Sequence, residues 1–228
     1  MKMRIMGMKM QVNPKMSSEA TLDIFDDIGE YESWRYDEIK GVGPKMVSNF
    51  LVEHQEIDTI NVRINSNGGD VFDGISVLNI LKSSGKTINI EVVGIAASIA
   101  SVIAMAGHVK MHPTSQMMIH NCWTWGCGNA NEFRKLAEDM DKIMESSKIA
   151  YLDKAGDKLT EEKLQELLDG ETYLTAQECY NYGLCDEIIG KEQDPEDDND
   201  PEEKINPVIK EKIEPNIEPI QKKKNWFF

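Results

Sequence analysis

The sequence lacks a long apolar run, which argues against a protein that crosses a membrane. Across its 228 residues the apolar stretches fall well short of the roughly 18 to 20 residues that span a bilayer. The N-terminal segment Met1–Met10 carries basic residues, but its apolar residues are interrupted too often to form the core of a signal peptide. We therefore expect no membrane segment and a cytoplasmic location.

The sequence also lacks an excess of basic residues and any CxxC pair. Its formal net charge is −15, which argues against a nucleic-acid partner because phosphate binding is driven by Lys and Arg. A metal site would need close-spaced thiolates or added His ligands. The four cysteines, Cys122, Cys127, Cys179 and Cys185, are therefore expected to be reduced, structural thiols, and no metal is expected.

Composition divides the chain into three parts. We expect residues 1–18 to be a flexible N-terminal segment, residues 19–190 to form one folded domain, and residues 191–228 to be an acidic, disordered tail. The tail begins with a run of Asp, Glu, Pro and Lys that holds too few apolar residues to fold alone. The middle part has an ordinary domain length, since single domains run to about 100 to 250 residues.

Inside the domain, the apolar periodicity switches repeatedly between about 2 and about 3.6 residues. This alternation is typical of strands that alternate with helices in an α/β architecture. The predicted strands are Thr59–Ile64, Thr87–Val93, Gln116–His120 and Leu184–Ile189. The predicted helices are one that begins at Pro44, Val71–Leu81, a buried one over Ser98–Gly107, Asn131–Asp153, and a short one with a capping box at Thr175 and Glu178.

Two loops that join a strand to the next helix carry the residues of chemical interest. Gly68 and Gly69 in the first loop permit backbone conformations that other residues rarely adopt. The second loop, Gly94–Ser98, repeats the order of strand, small residues and helix start. Because ligands of parallel sheets collect at the carboxyl ends of strands, we expect both loops to face one crevice with free helix N–H groups. Each loop alone is weak evidence for a functional site, because a Gly-Gly pair usually makes a tight turn and a serine at a helix start is usually an N-cap.

A serine nucleophile needs a base within hydrogen-bond reach. Four histidines are available, His54, His108, His112 and His120. The first lies on the exposed side of an early helix, and the next two fit surface positions. His120 ends an apolar strand and can point into the crevice near Ser98, so the residues favour it without excluding the others.

Four motifs occur in the order seen in the Clp protease proteolytic subunit, which the chain resembles over roughly residues 20–190. They are Ile-Asn-Ser-Asn-Gly-Gly, Gly-Ile-Ala-Ala-Ser, Met-Met-Ile-His and Tyr-Leu-Thr-Ala-Gln-Glu-Cys-Tyr-Asn-Tyr-Gly-Leu-Cys-Asp. Asn67 stands where the housekeeping enzyme has Pro, and the interval from Ser98 to His120 is shorter than in that enzyme. In these two respects the chain resembles the phage and prophage branch, the ClpP-like head maturation proteases.

The resemblance implies catalytic roles for individual residues. Ser98 matches the family's nucleophile, and His120 matches the general base that removes its proton. Gly69 and Ile99 match the positions whose backbone N–H groups form the oxyanion hole.

The third member of the implied triad departs from the family pattern. The family acid stands three residues before the Leu that opens the Leu-Ser/Thr-Ala segment, and that Leu is Leu174 here. Glu171 therefore stands where an Asp is usual, and Asp169 is the alternative acid.

The resemblance also implies a fold and an activity. The implied fold is the α/β, ClpP/crotonase-like fold, with repeated ββα units and a protruding long helix that packs between subunits of a ring oligomer. The implied activity is that of a serine endopeptidase, a hydrolase that needs no cofactor and works in the cytoplasm of a bacterial host. Its substrates would be proteins or peptides, and capsid or scaffold proteins in the head maturation branch.

Three other functions remain open at this point. A housekeeping-type Clp subunit would work with an ATP-dependent AAA+ unfoldase, although no docking pocket for one is recognisable in the sequence. A catalytically weak assembly or scaffold protein would keep the fold, and a misplaced acid at Glu171 would favour it. A crotonase-like acyl-CoA enzyme would need a carboxylate base and a CoA pocket, and the combination of Ser98 and His120 argues against it.

Overall fold

The computed structural model describes residues 19–29, 31–33 and 38–191. The predicted flexible segment at residues 1–18 and the predicted tail from residue 192 onward lie outside the described residues, so both remain predictions. Among the described residues, no helix has the length and apolar character needed to cross a membrane.

The described residues alternate strands with helices. The strands are β1 (Glu19–Ile24), β2 (Tyr31–Ser33), β3 (Glu38–Lys40), β4 (Thr59–Ser66), β5 (Thr87–Ala97), β6 (His108–Met111), β7 (Gln116–Ile119), β8 (Thr172–Thr175) and β9 (Glu187–Ile188). The helices are α1 (Pro44–Glu53), α2 (Val71–Ser83), α3 (Ile99–Ala104), α4 (Ala130–Ala155), α5 (Glu161–Asp169) and α6 (Ala176–Asn181), and a 3₁₀ turn covers Gly156–Lys158.

A largely parallel sheet forms the centre of this part of the chain. Its strand order is β1-β4-β5-β6-β9, and each pair along this path is parallel. Along β4 the side chains of Ile60, Val62 and Ile64 are fully buried, while their neighbours are more exposed. This is the period-two alternation that predicted the strand, and the predicted α/β architecture is confirmed.

Strand β5 changes partners partway along its length. Its first half pairs with β6, whereas Ile95–Ala97 pair with β7. An irregularity separates the two halves, because Ile64 of β4 is in register with Val92 but Ser66 is in register with Ala96. Extra residues of this kind bend a strand and increase its twist, so the end of β5 is directed towards β7.

Strand β7 pairs with the end of β5 on one side and forms a short antiparallel ladder with β8 on the other. The last pair of this ladder joins Ile119 to Thr172. His120 and Glu171 are the next residues outward on the two strands, so the topology brings the predicted base and the predicted acid to the same end of one ladder.

The helices cover the sheet and complete the core. Every residue of α3 is buried, and this short helix packs against α2. Residues 130–143 of α4 are exposed or half-buried, whereas Met144, Ala150 and Tyr151 further along belong to the core. Asn129 and Glu132 cap the start of α4 with a reciprocal capping box, and Thr175 and Glu178 cap α6 in the predicted way.

The last predicted strand was too long. The structure forms only β9, Glu187–Ile188, where Leu184–Ile189 was predicted. The N–H groups of Leu184 and Cys185 donate to the Cys179 carbonyl at 2.8 and 3.1 Å. They therefore close the end of α6 and cannot join the sheet.

Candidate active site

Ser98 and His120 meet at the carboxyl end of the sheet. Ser98 lies between β5 and α3, and His120 directly follows β7. The Ser98 Oγ and the His120 Nε2 are 2.7 Å apart. This is hydrogen-bond distance, and it is the geometry that a nucleophile and its general base require.

The other three histidines have partners elsewhere. The His54 Nδ1 lies 2.8 Å from a backbone oxygen of its own helix. The His112 Nε2 lies 2.8 Å from the Glu91 carboxylate, and His108 lies 3.6 and 3.9 Å from two carboxylates near β9. Of the four histidines that the sequence offered as a base for Ser98, His120 is the one in contact with it.

The backbone of Ser98 has an unusual conformation. Its φ is 54° and its ψ is −131°, in the positive-φ region that non-glycine residues seldom adopt. The residue occupies the N-cap position of α3, but its side chain makes no cap hydrogen bond and faces His120 instead. The Ser98 N–H donates to the Met118 carbonyl at 2.8 Å and ties the strained residue to β7. Such strain persists only where the surroundings impose it, as they do at many active sites.

Two glycines let the first loop approach Ser98 closely. Gly68 has a φ of 98°, and a Cβ on it would lie 2.7 Å from the Ser98 Cβ. Gly69 has a φ of 151°, and a Cβ there would lie 2.1 Å from the Ile28 carbonyl oxygen. Larger residues are excluded at both positions by space as well as by conformation.

Two backbone N–H groups beside Ser98 have no protein acceptor among the described residues. They belong to Gly69 and to Ile99. Ile99 is the first residue of α3, where an N–H has no partner within the helix. Gly69 forms a parallel bridge with Ile28 through the residues on either side of it, so its own N–H points away from Ile28. Both groups are thus available to an oxygen bound next to Ser98.

These residues line an open cleft of about 690 Å³. Gly68, Gly69, Ser98 and His120 form one part of its wall, together with the side chains of Trp123 and Tyr173. Both aromatic rings are largely exposed, with relative accessibilities of 79% for Trp123 and 59% for Tyr173. The cleft is therefore polar at its base and aromatic at its edge.

Neither predicted acid contacts the histidine in this structure. Within the described residues, no Asp or Glu oxygen lies within 4.0 Å of a ring nitrogen of His120. Glu171 is exposed and has a φ of 47°, at the point where the chain enters β8. The structure brings Ser98 and His120 together and leaves the imidazole without a carboxylate partner.

Asp169 has a different set of contacts. Its Oδ1 accepts hydrogen bonds from the Asn121 side chain at 2.8 Å and from the Gln165 side chain at 2.7 Å. Asn121 directly follows His120, so Asp169 fixes the chain next to the histidine without touching the ring. Asn121 was not predicted as a site residue, because its only signal in the sequence is its position one residue after His120.

The cysteines are free, and their environments differ. Cys179 and Cys185 are buried, and burial raises the pKa of Cys185 to about 11. Cys122 is half-buried with a pKa raised by the same desolvation, whereas Cys127 is exposed. Among the described residues, no group of three or more His, Cys, Asp or Glu side chains is arranged to hold a metal ion.

Comparison with known proteins identifies relatives of this chain. Residues 40–192, more than half of the chain, match the family described as Clp protease. An ATP-dependent Clp protease proteolytic subunit of Bacteroides fragilis (strain ATCC 25285) is 29% identical over 135 residues, which cover 58% of this chain and 64% of that protein. The ATP-dependent Clp protease proteolytic subunit 2 of Synechococcus sp. (strain CC9605) is 28% identical over 145 residues, which cover 62% of this chain and 73% of that protein. The chain thus spans less than two thirds of the Bacteroides relative.

Solved structures agree at the level of the fold. A ClpP1 mutant from Listeria monocytogenes superimposes with a TM-score of 0.59 at 23% sequence identity, covering 75% of this chain and 91% of that one. The predicted ClpP-like fold is therefore confirmed. The family match over residues 40–192 establishes that the chain belongs to the Clp protease family.

Proposed function

We propose that the chain is a serine endopeptidase in which Ser98 is the nucleophile and His120 the general base. The observation that carries the proposal is the 2.7 Å contact between the Ser98 Oγ and the His120 Nε2. Two available N–H groups in the same cleft, those of Gly69 and Ile99, support it. A cleft this open can admit an extended polypeptide.

The reaction follows from this arrangement. The Ser98 Oγ attacks the carbonyl carbon of a peptide bond while its proton passes to the His120 Nε2. The N–H groups of Gly69 and Ile99 donate to the resulting oxyanion, and removing one such donor typically costs about 10²- to 10³-fold in kcat. His120 then returns the proton to the leaving amine, which leaves an acyl group on Ser98. A water molecule, deprotonated by His120, hydrolyses this ester and regenerates the serine.

Active-site labelling tests the proposal. A fluorophosphonate should label the wild-type protein, and Ser98→Ala should abolish the labelling. Ser146→Ala is the matched control because Ser146 is an exposed serine of α4, and it should label like the wild type. Absence of labelling in the wild type, or labelling that survives Ser98→Ala, would overturn the proposed nucleophile.

We further propose Glu171 as the acid that orients the imidazole. Its support is the ladder of β7 and β8, which ends at the pair Ile119–Thr172, so that His120 and Glu171 are the next residues along the two chains. Catalytic hydrogen bonds are often long or misaligned until a substrate binds. In this proposal Asp169 keeps the structural contacts that it makes with Asn121 and Gln165.

Two neutral variants separate the candidate acids. Glu171→Gln should lower kcat by about 10²- to 10⁴-fold, because a neutral amide cannot stabilise the imidazolium. Asp169→Asn should have a much smaller effect. Glu162→Gln, on the exposed first turn of α5, is the control. The reverse order of effects would assign the acid to Asp169, and no effect of either would leave a serine–histidine dyad.

The relatives bear on substrates and partners. Both curated relatives are named ATP-dependent Clp protease proteolytic subunits, which favours a proteolytic subunit that works with an AAA+ unfoldase over a capsid-processing enzyme. We therefore propose a ring oligomer that degrades unfolded proteins, with head maturation as the second candidate, based on Asn67 and the short interval between Ser98 and His120. Cleavage of an unstructured casein alone, and of a folded reporter only with unfoldase and ATP, would favour the first. Cleavage of an assembled capsid or scaffold protein without ATP would favour the second.

A further inference from the structure

Two buried hydroxyl groups, those of Ser101 and Tyr151, are linked to the backbone of the candidate nucleophile. The Ser101 Oγ of α3 lies 2.6 Å from the Tyr151 hydroxyl of α4. The same Ser101 Oγ lies 2.5 Å from the Ser98 carbonyl oxygen. Ser101 is 0% exposed and Tyr151 is 2% exposed. The pair therefore joins helix α4 to the backbone of Ser98 through two short hydrogen bonds between buried residues.

The directions of these hydrogen bonds follow from counting hydrogens. A serine hydroxyl has one hydrogen to donate and can accept through its lone pairs. The Ser98 carbonyl can only accept, so the Ser101 hydroxyl donates to it. Tyr151 must then be the donor to Ser101. Burial raises the pKa of the Tyr151 phenol, so the phenol keeps the proton that it donates.

The Ser98 carbonyl belongs to the same peptide group as the Ile99 N–H. A trans peptide is planar, and its C=O and N–H point in opposite directions; the described residues contain no cis peptide. The Ser98 carbonyl accepts one hydrogen bond from the Ser101 hydroxyl and a second from the Ser101 N–H at 3.0 Å. The Ile99 N–H must therefore point the other way, out of the protein core. If this peptide turned over, the N–H proposed as an oxyanion donor would be lost.

We propose that Tyr151 is a positioning residue that acts through Ser101 to keep the Ile99 N–H directed at the reacting carbonyl. This inference rests on the proposed peptidase function and deepens it. Tyr151 donates to Ser101, the polarised Ser101 hydroxyl holds the Ser98 carbonyl, and the Ile99 N–H is fixed as a consequence. Helix α4 thereby contributes to the oxyanion site without contacting the substrate.

The test uses Tyr151→Phe in the 228-residue chain, with Tyr180→Phe as the matched control. Tyr180 is a half-buried tyrosine on α6 whose ring lies against the Lys158 ammonium, a contact that phenylalanine preserves. Loss of one orienting hydrogen bond should lower kcat for a peptide substrate about 3- to 10-fold and leave KM unchanged. Tyr180→Phe should leave both constants unchanged.

An inhibitor pair distinguishes positioning from general loosening of the fold. A peptide aldehyde adds to Ser98 and forms an oxyanion, whereas the corresponding peptide alcohol binds the same cleft without forming one. In Tyr151→Phe the affinity for the aldehyde should fall by the same factor as kcat, and the affinity for the alcohol should not change. An equal loss for both inhibitors, or no loss for either, would overturn the inference.

A double-variant cycle gives a second, independent measurement. Ser101→Ala should leave the Tyr151 hydroxyl buried without an acceptor, so adding Tyr151→Phe should restore part of the lost thermal stability. The activity of the double variant should equal that of Ser101→Ala, because both lack the same link. Additive losses would contradict the proposed chain of contacts. Wild-type labelling by fluorophosphonate together with an unaffected Tyr151→Phe would reject this inference alone, whereas an unlabelled wild type would reject the peptidase function itself.

Discussion

Gly74 of α2 provides a sharp test of how closely the helices pack around the candidate oxyanion site. A Cβ at this position would lie 2.1 Å from the Ile99 Cγ1 and 3.2 Å from its Cδ1. Ordinary carbon–carbon contacts are about 3.5 to 4.0 Å. Gly74→Ala therefore forces α2 and α3 apart by more than about 1 Å, or drives Ile99 out of its rotamer.

Two effects of opposite sign compete in this substitution. Alanine is favoured over glycine inside a helix by about 1 kcal/mol. Overpacking a core typically costs about 1 to 3 kcal/mol, and the 2.1 Å approach to Ile99 places this case at the upper end. We expect a net loss of about 2 kcal/mol, which corresponds to a fall in Tm of about 4 to 8 °C for a domain of this size.

The partner substitution follows from the same distances. Ile99→Ala removes both clashing atoms and retains the backbone N–H, and the nearest remaining Ile99 atom, its Cβ, lies 3.3 Å from the added methyl. Alone, Ile99→Ala should cost about 2 to 5 kcal/mol through the cavity it leaves. In the double variant the methyl group added by Gly74→Ala occupies that cavity. The loss of unfolding free energy in the double variant should therefore be smaller than the sum of the two single losses by more than about 1 kcal/mol. This margin is about twice the deviation from additivity that independent sites usually show.

The measurement is urea unfolding at one fixed protein concentration, because self-association changes the apparent stability. The rate of fluorophosphonate labelling is followed in parallel. It should fall in Gly74→Ala, where Ile99 is displaced, and recover in part in the double variant. Additivity of the single losses within about 0.5 kcal/mol would refute the predicted contact.

Three further predictions concern stability and reactivity. The Lys86 ammonium donates to three backbone carbonyls after α1, at 3.0, 2.9 and 2.5 Å, so Lys86→Met should lower Tm by several degrees in a thermal melt. The Arg63 hydrogen bond lowers the pKa of Asp23 below 3.8, so the stabilisation by this pair is present above that pH and lost as the pH falls through the lowered value. The Tm difference between wild type and Asp23→Asn, modest for an exposed pair, should therefore narrow as the pH falls below 3.8, and a constant difference would contradict the assignment. Cys127 is exposed, whereas burial raises the pKa of Cys179, so mass spectrometry after iodoacetamide treatment should find Cys127 alkylated and Cys179 unmodified in the native protein.

Periodicity predicted the elements whose apolar residues repeat without interruption. The strand predicted at Thr59–Ile64 lies within β4, and the helix predicted at Val71–Leu81 lies within α2. The strand predicted at Thr87–Val93 ended too early, because β5 continues to Ala97 beyond the irregularity between Val92 and Ala96. The small residues that follow the irregularity do not alternate between apolar and polar side chains. The extension of β5 depends on pairing with β7, so the local sequence could not predict it.

The candidate site was likewise predictable only in part. Ser98 opens a predicted helix and His120 ends a predicted strand, and the resemblance to the family implies their roles. The contact between Tyr151 and Ser101 joins residues from two helices, and no local pattern predicts which buried hydroxyl will face another. The motif singles out Glu171 as the candidate acid, but its distance from His120 could not be predicted, because that distance depends on how the chain turns into β8 with a φ of 47°.

The division of β5 between two partners has a mechanical consequence. The parallel layer from β1 to β9 holds most of the buried strand residues, whereas the ladder that carries His120 is joined to β5 by only three registered pairs, Ile95–Gln116 to Ala97–Met118. Packing therefore does much to hold His120 in place, because the Met117, Ile119 and Leu174 side chains of this ladder are fully buried in the core. We expect a substitution that loosens this packing to disturb the contact between the imidazole and Ser98 before it disturbs the parallel layer.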